Sequence, residues 1–265
     1  MKKLFISADL EGVSSVSSWE ETRYGEQGYD AACRQLTREV AAACHAAQEL
    51  GYTVLVKDGH EDARNIDPTG LPRGVLLHRG WQNEPAAMMC GLDASYDAAL
   101  YIGYHAPEGS DGSPLAHTIE HPLYAWMKLD GVLASEFSMN ALWAAAMGVP
   151  SVFLSGDRFI CESAEACCPG IRTYATKDCI GSAVWGLHPD EAVEGIYTGV
   201  LEALAQPHKP IPLKDSYTLE ICFKEHRMAR RASWYPGAVR TGVCTVSYTA
   251  KDPVELMTAR SFLEG

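Results

Sequence analysis

Leu4-Phe5-Ile6-Ser7-Ala8-Asp9-Leu10-Glu11-Gly12 begins as an apolar run and stops on two acids and a glycine. A short apolar run bounded by turn residues reads as a buried strand, here ending at Ala8. Residues two apart on a strand share a face, so Asp9 and Glu11 aim two carboxylates at one point. Like charges that close repel unless a cation or a proton neutralises them. A metal is therefore the first partner to look for.

The same design recurs along the chain. A polar loop over residues 12–29 leads to a helix, with Asp30 as N-cap and Gly51 as its stop. Cys33, Leu36, Val40, Ala43, Ala47 and Leu50 form its apolar stripe. Thr53-Val54-Leu55-Val56 is a second strand ending in Lys57-Asp58-Gly59-His60, and a weaker one follows over residues 74–78. The run 98–102 ends in Gly103-Tyr104-His105, a helix spans about 135–147, and the run 151–154 ends in Ser155-Gly156-Asp157. Alternating strands and helices predict an α/β fold, a mostly parallel sheet with helices on both faces. The proline-rich segment 206–212 reads as a stiff linker. Beyond it, strand-like runs at 218–223 and 243–248 flank a basic helical stretch, and a last helix starts near Asp252-Pro253. The expected organisation is an α/β catalytic unit over 1–206 and a smaller α+β annex over 213–265.

Composition narrows the function. With 47% hydrophobic residues in 265, the chain can build a substantial core. Its 34 acidic and 22 basic residues leave a net charge of -12, which argues against nucleic acid or an anionic membrane surface as partner. Nine irregularly spaced cysteines, with no Cys-x-x-Cys, suit neither a disulfide framework nor a zinc knuckle. They point to buried thiols in a reducing cytosol. The apolar start is too short for a signal peptide, and no run approaches the roughly 18 residues of a spanning helix. A soluble, cytoplasmic protein is expected.

Open α/β sheets bind ligands beyond the carboxyl ends of their strands. Three predicted strands end there in Asp9 and Glu11, in His60 and in His105, each beside a glycine. Glu136 lies in register with Met139, Trp143 and Met147, so it should face inward, where a glutamate needs a partner. Singly, each residue has an ordinary reading: a turn cap, a core histidine, an acid complementing a helix dipole. Together, three carboxylates and two imidazoles on one sheet edge suit one or two zinc-like ions, with Asp9 able to bridge a pair. Asp58 and Asp157, also at strand ends, either orient a ligand histidine or cap loops. His117-Thr118-Ile119-Glu120-His121 matches a His-x-x-Glu-His zinc-peptidase pattern, but Pro122 disfavours helix at His121, so the match reads as accidental. The loop carrying Trp19, Tyr24 and Tyr29 either covers the site or makes a subunit contact. Arg227, Arg230 and Arg231 read first as a solvated face.

Asp9-Leu10-Glu11-Gly12, the run 54–60, Gly103-Tyr104-His105-Ala106, Leu115-Ala116-His117 and Glu136 with Asn140-Ala141 together resemble a known family. It is the zinc-dependent D-aminopeptidases of bacterial dipeptide-transport operons. The likeness runs in order from residue 3 to about 160 and more weakly through Pro236-Gly237 and Thr241-Gly242. It implies Asp9, Glu11, His60, His105 and Glu136 as ligands of two zinc ions, with Asp9 bridging, and His117 as the catalytic histidine, nucleophile or general base. It also implies a self-compartmentalising homo-oligomer of two stacked pentameric rings, acting on short peptides or amino-acid amides. Gly59 and the longer segment between His117 and Glu136, with its extra His121, depart from the family. A metallo-aminopeptidase is the favoured reading, with a metal-dependent amidase or phosphoesterase, or a non-catalytic metal-binding assembly protein, as the alternatives.

Overall fold

The computed structural model describes residues 2–264. In chain order the elements are β1 (Lys2–Ala8), α1 (Tyr29–Glu49), β2 (Tyr52–Asp58), β3 (Leu76–His78), β4 (Ala98–Tyr104), β5 (Tyr124–Leu129), β6 (Val132–Leu133) and α2 (Glu136–Ala146). There follow β7 (Ser151–Asp157), α3 (Arg158–Cys167), β8 (Arg172–Ile180), β9 (Ala183–Gly186) and α4 (Pro189–Leu204). The chain ends with β10 (Tyr217–Phe223), α5 (His226–Ala232), β11 (Val239–Arg240), β12 (Thr245–Ala250) and α6 (Pro253–Leu263).

Seven strands form one sheet in the order β3-β2-β1-β4-β7-β8-β9. All neighbours are parallel except β8 with β9. The expected α/β fold with a mostly parallel sheet is what forms. β4 and β7 are buried along their whole length, as strands covered on both faces must be. From β1 the chain builds outward one way through β2 and β3, then returns to β4 on the other side of β1. That reversal between β1 and β4 opens a crevice at the carboxyl ends of the strands.

One face is closed by α1 and α4, whose apolar stripes join Leu4, Ile6, Val54 and Leu100 in one core. The other is closed by α2 and α3, around Phe5, Tyr101, Tyr104 and Leu154. A second, antiparallel sheet has the order β11-β12-β10-β5-β6 and carries α5 and α6 on a third core. Leu142 of α2 packs into that third core, while Phe137, Met139 and Trp143 face the second. Helix α2 is thus clamped between the two sheets.

Several sequence expectations shift. Gly28, at φ 94°, is the N-cap of α1, and Asp30 sits inside the first turn, where its charge complements the helix dipole. The strand expected at 243–248 begins at Thr245, and β11 was not foreseen. Nor were β5 and β6, joined by Asp130-Gly131 with both residues at positive φ, the backbone of a type I′ hairpin. Because β5 pairs with β10, the second sheet draws on residues from both sides of the 206–212 linker. All nine cysteines are free thiols. No helix among the described residues is long and apolar enough to cross a membrane.

Candidate metal centre

Each strand end delivers what its sequence promised. Asp9 and Glu11 follow β1, His60 follows β2 and His105 follows β4, so adjacent strands place their side chains on one rim. Glu136 enters from the first turn of α2, whose N-cap Ser135 accepts a hydrogen bond from the Ser138 amide. All five are at least nine-tenths buried.

Close approach of the β1 and β4 ends depends on two glycines. The Gly12 amide donates to the Gly103 carbonyl at 2.8 Å, and a Cβ on Gly12 would meet Tyr104 O at 1.8 Å. Gly103 has φ +76° and leaves no room for a Cβ beside Asp9 O. Lys177, buried on β8, donates from Nζ to the carbonyls of Glu11 and Val16 and so fixes the loop from behind.

The carboxylates and imidazoles interleave. His60 Nδ1 lies 3.0 Å from Glu11 Oε2 and 3.5 Å from Asp9 Oδ1. His105 Nε2 lies 3.3 Å from Asp9 Oδ2 and 3.5 Å from Glu136 Oε2. The two oxygens of Asp9 therefore face different imidazoles. His117 stacks on His105 with ring centroids 4.2 Å apart, and its Nε2 stands further from the acids, 3.7 Å from Glu136 and 3.9 Å from Glu11.

Backbone carbonyls set all three rings. His60 Nε2 donates to Thr22 O at 2.7 Å, His105 Nδ1 to Ala106 O at 3.0 Å, and His117 Nδ1 to Leu115 O at 2.9 Å. A carbonyl only accepts, so in each ring the other nitrogen is left facing the carboxylates. That is how proteins orient imidazole ligands for a metal. Asp9 Oδ2, Glu11 Oε2 and His105 Nε2 are buried without a hydrogen-bond partner, a costly state unless a cation sits among them. Potential ligand atoms of Asp9, Glu11 and His105 lie within 4.8 Å of one another, as do those of His105, His117 and Glu136.

Charge follows the same logic. Burial alone would raise the Glu11 carboxyl, but His60, His117 and His105 hold it far below the usual range. Burial opposes a charged ring at His60 and His105, yet Glu11 and Asp9 on one, and Glu136 and Asp9 on the other, keep both well above the ordinary imidazole value. The cluster demands positive charge, which protons supply when no metal does. The donor set, three carboxylates with two or three imidazoles, fits a zinc-type ion.

The remaining candidates separate cleanly. Asp58 accepts from the amides of Asn65 and Ile66, and Asp157 from those of Ala106 and Ile160. Neither touches a histidine ring, so the loop-cap alternative describes their contacts, with Asp157 holding the peptide next to His105. Residues 117–121 form no helix, and Ile119 adopts φ +66° so that its amide donates to Glu136 Oε1 at 2.7 Å. His121 instead pairs with Glu108 and stacks on Trp19 at 4.8 Å, while the Trp19 edge meets His117 at 5.3 Å. Sequence reasoning missed the Thr22 carbonyl, which no residue type announces. It also missed Arg260 and Glu264 in the wall of the cavity, about 500 Å³, that holds the cluster. Arg260 is spaced with Leu256 and Leu263 on the buried face of α6, the same register signal that exposed Glu136.

The chain is similar to known proteins over most of its length. A D-aminopeptidase of Bacillus subtilis strain 168 is 31% identical over 258 residues, covering 96% of this chain and 93% of that protein. The solved structure of the Zn-dependent D-aminopeptidase DppA from Bacillus subtilis, a self-compartmentalizing protease, superposes with a TM-score of 0.91 at 28% identity, over 98% of this chain and 96% of that one. A shorter likeness is to a thiamine-phosphate synthase of Hyphomonas neptunium, 30% identical over 179 residues, 64% of this chain and 75% of that protein. The M55 peptidase model, described as D-aminopeptidase, matches residues 1–262 and so takes in the rim of acids and imidazoles, α2 and the second sheet together. Buried acids and imidazoles on one sheet edge, in a chain alike from end to end, make this protein a member of the M55 D-aminopeptidase family of hydrolases.

Proposed function

We propose that the chain is a zinc-dependent aminopeptidase that removes the amino-terminal residue, of D configuration, from short peptides. The observation that carries this reading is the division of Asp9, one oxygen toward His60 and the other toward His105. Asp9, Glu11 and His60 would hold one zinc ion, and Asp9, His105 and Glu136 a second. Zinc bound there would supply Lewis acidity, to polarise a scissile carbonyl and lower the pKa of a water toward ~7. His117 is assigned the catalytic role because its free nitrogen sits beyond the tighter contacts of the other two rings, within the cavity. It either carries the proton between water and the leaving amine or attacks the carbonyl itself. The His105 ring stacks on the His117 imidazole and the Trp19 indole meets it edge to face, so both restrain its orientation. We assign the protein to a homo-oligomer of two stacked pentameric rings, after the self-compartmentalizing neighbour, and to the reducing cytoplasm, in keeping with its free thiols.

The test is chelation, zinc restoration, and a panel of D- and L-aminoacyl dipeptides, amides and phosphoesters. Activity on D-aminoacyl peptides that disappears with chelator and returns with zinc is expected. Full activity after chelation would remove the metal from the reading. Turnover confined to L-aminoacyl peptides would remove the stereochemical assignment, and turnover of phosphoesters alone would replace the peptidase assignment.

A further inference from the structure

From the wall of the cavity that holds the metal rim, we infer that Arg260 receives the C-terminal carboxylate of the substrate, so that the site selects very short peptides with a free carboxyl end over amides. This rests on the peptidase reading above and names its substrate class.

Arg260 lies on α6 and is 3% exposed, yet it lines the cavity that contains Asp9, Glu11, His60, His117 and Glu136. It also lines an adjoining hollow of about 330 Å³, and both share Trp81, Asn83, Ala87 and Glu264. Arg260 thus borders both spaces. Its hydrogen bonds are incomplete. Nη1 donates to Glu264, Nη2 reaches only Ser261 Oγ at 3.5 Å, and the buried Nε has no partner. Nε and Nη2 are the side-on fork that matches a carboxylate with two parallel bonds, and Nε, covered in the free chain, is reached when the side chain shifts toward the ligand.

Charge complementarity selects the ligand. Arg23, the other arginine of the cavity, is solvent-exposed beside the Trp19 ring, so Arg260 is the buried cation of the wall. A peptide with uncharged side chains, bound through its amino end at the metal rim, carries its one remaining charge, a carboxylate, at the far end. For a dipeptide that end lies a few bonds from the scissile carbonyl, within one cavity. Glu264, at the end of α6, is itself a carboxylate on Arg260. It holds the guanidinium in place in the free enzyme and competes with the substrate for it.

The experiment compares zinc-loaded enzyme on a D-aminoacyl dipeptide and on the same dipeptide with its C-terminus amidated. The wild type should favour the free acid in kcat/KM by at least about tenfold, chiefly through KM, the scale of one charge-assisted pair. Arg260→Gln should bring that ratio close to one, and Arg260→Lys should restore part of it. Glu264→Gln keeps the arginine and removes its competitor, so it should raise the ratio, and it remains informative if Arg260 variants do not fold. A wild-type ratio near one, or a ratio unmoved by Glu264→Gln, overturns the inference. Failure to cleave either compound would instead count against the peptidase reading.

Discussion

At the scale of single residues, the histidines divide by what their free nitrogen can reach. His60 and His105 each press that nitrogen against two carboxylate oxygens at 3.0–3.5 Å, whereas His117 keeps 3.7 Å or more. Removing His117 should therefore spare the metal and remove a proton carrier. His117→Ala is expected to retain bound zinc while kcat falls by roughly 10²–10⁴. His60→Ala or His105→Ala should lose zinc affinity by more than the roughly 10–100-fold typical of losing an outer partner. Metal content by mass spectrometry, read beside turnover, separates the two. A His117→Ala enzyme with wild-type kcat would reassign that residue, and one that loses zinc would make it a ligand.

At the scale of elements, the metal rim exists because strand ends approach where side chains would not fit. A Cβ at Gly103 would stand 2.1 Å from the Asp9 carbonyl, at a φ of +76° that disfavours any other residue. Gly103→Ala should cost on the order of 2–4 kcal/mol in urea unfolding of the metal-free chain, from strain and forced displacement. Zinc affinity should fall with it, because Asp9 moves. An alanine variant with unchanged stability and affinity would show that the loop relaxes freely. The same elements explain what could be read beforehand. β1, β2, β4 and β7 were legible because strands inside a parallel sheet need near-continuous apolar runs, which are local signals. β5 was not, because its partner β10 lies far downstream and its exposure alternates irregularly. Glu136 was visible as an acid in an apolar helical register. Arg260 offered the same signal on α6, and the Thr22 carbonyl, a backbone group on a short turn, offered none.

At the scale of the whole molecule, part of the uncovered apolar surface lies on the second sheet and its helices, and part on the first, at Leu76, Ile180 and Trp185. Trp234, Val239, Val243 and Phe262 are each at least 60% exposed, and Phe262 stacks on Tyr235. The Phe262–Tyr235 pair, with Trp234 close by in sequence, is the part of that surface that suits a contact with another subunit. In the proposed ring assembly this face is where one subunit would meet the next. Phe262 also lines the smaller hollow that Arg260 borders, so a neighbour seated there would wall one side of the route to the metal rim. Assembly and substrate length would then be coupled. Phe262→Glu places a charge in that contact, and light scattering behind size-exclusion chromatography should show smaller species at matched concentration. The same variant should gain several-fold in relative turnover of longer peptides over dipeptides. An unchanged mass would place the subunit contact elsewhere. Smaller species with an unaltered length preference would mean that the single chain, through Arg260 and the cavity it closes, sets substrate length alone.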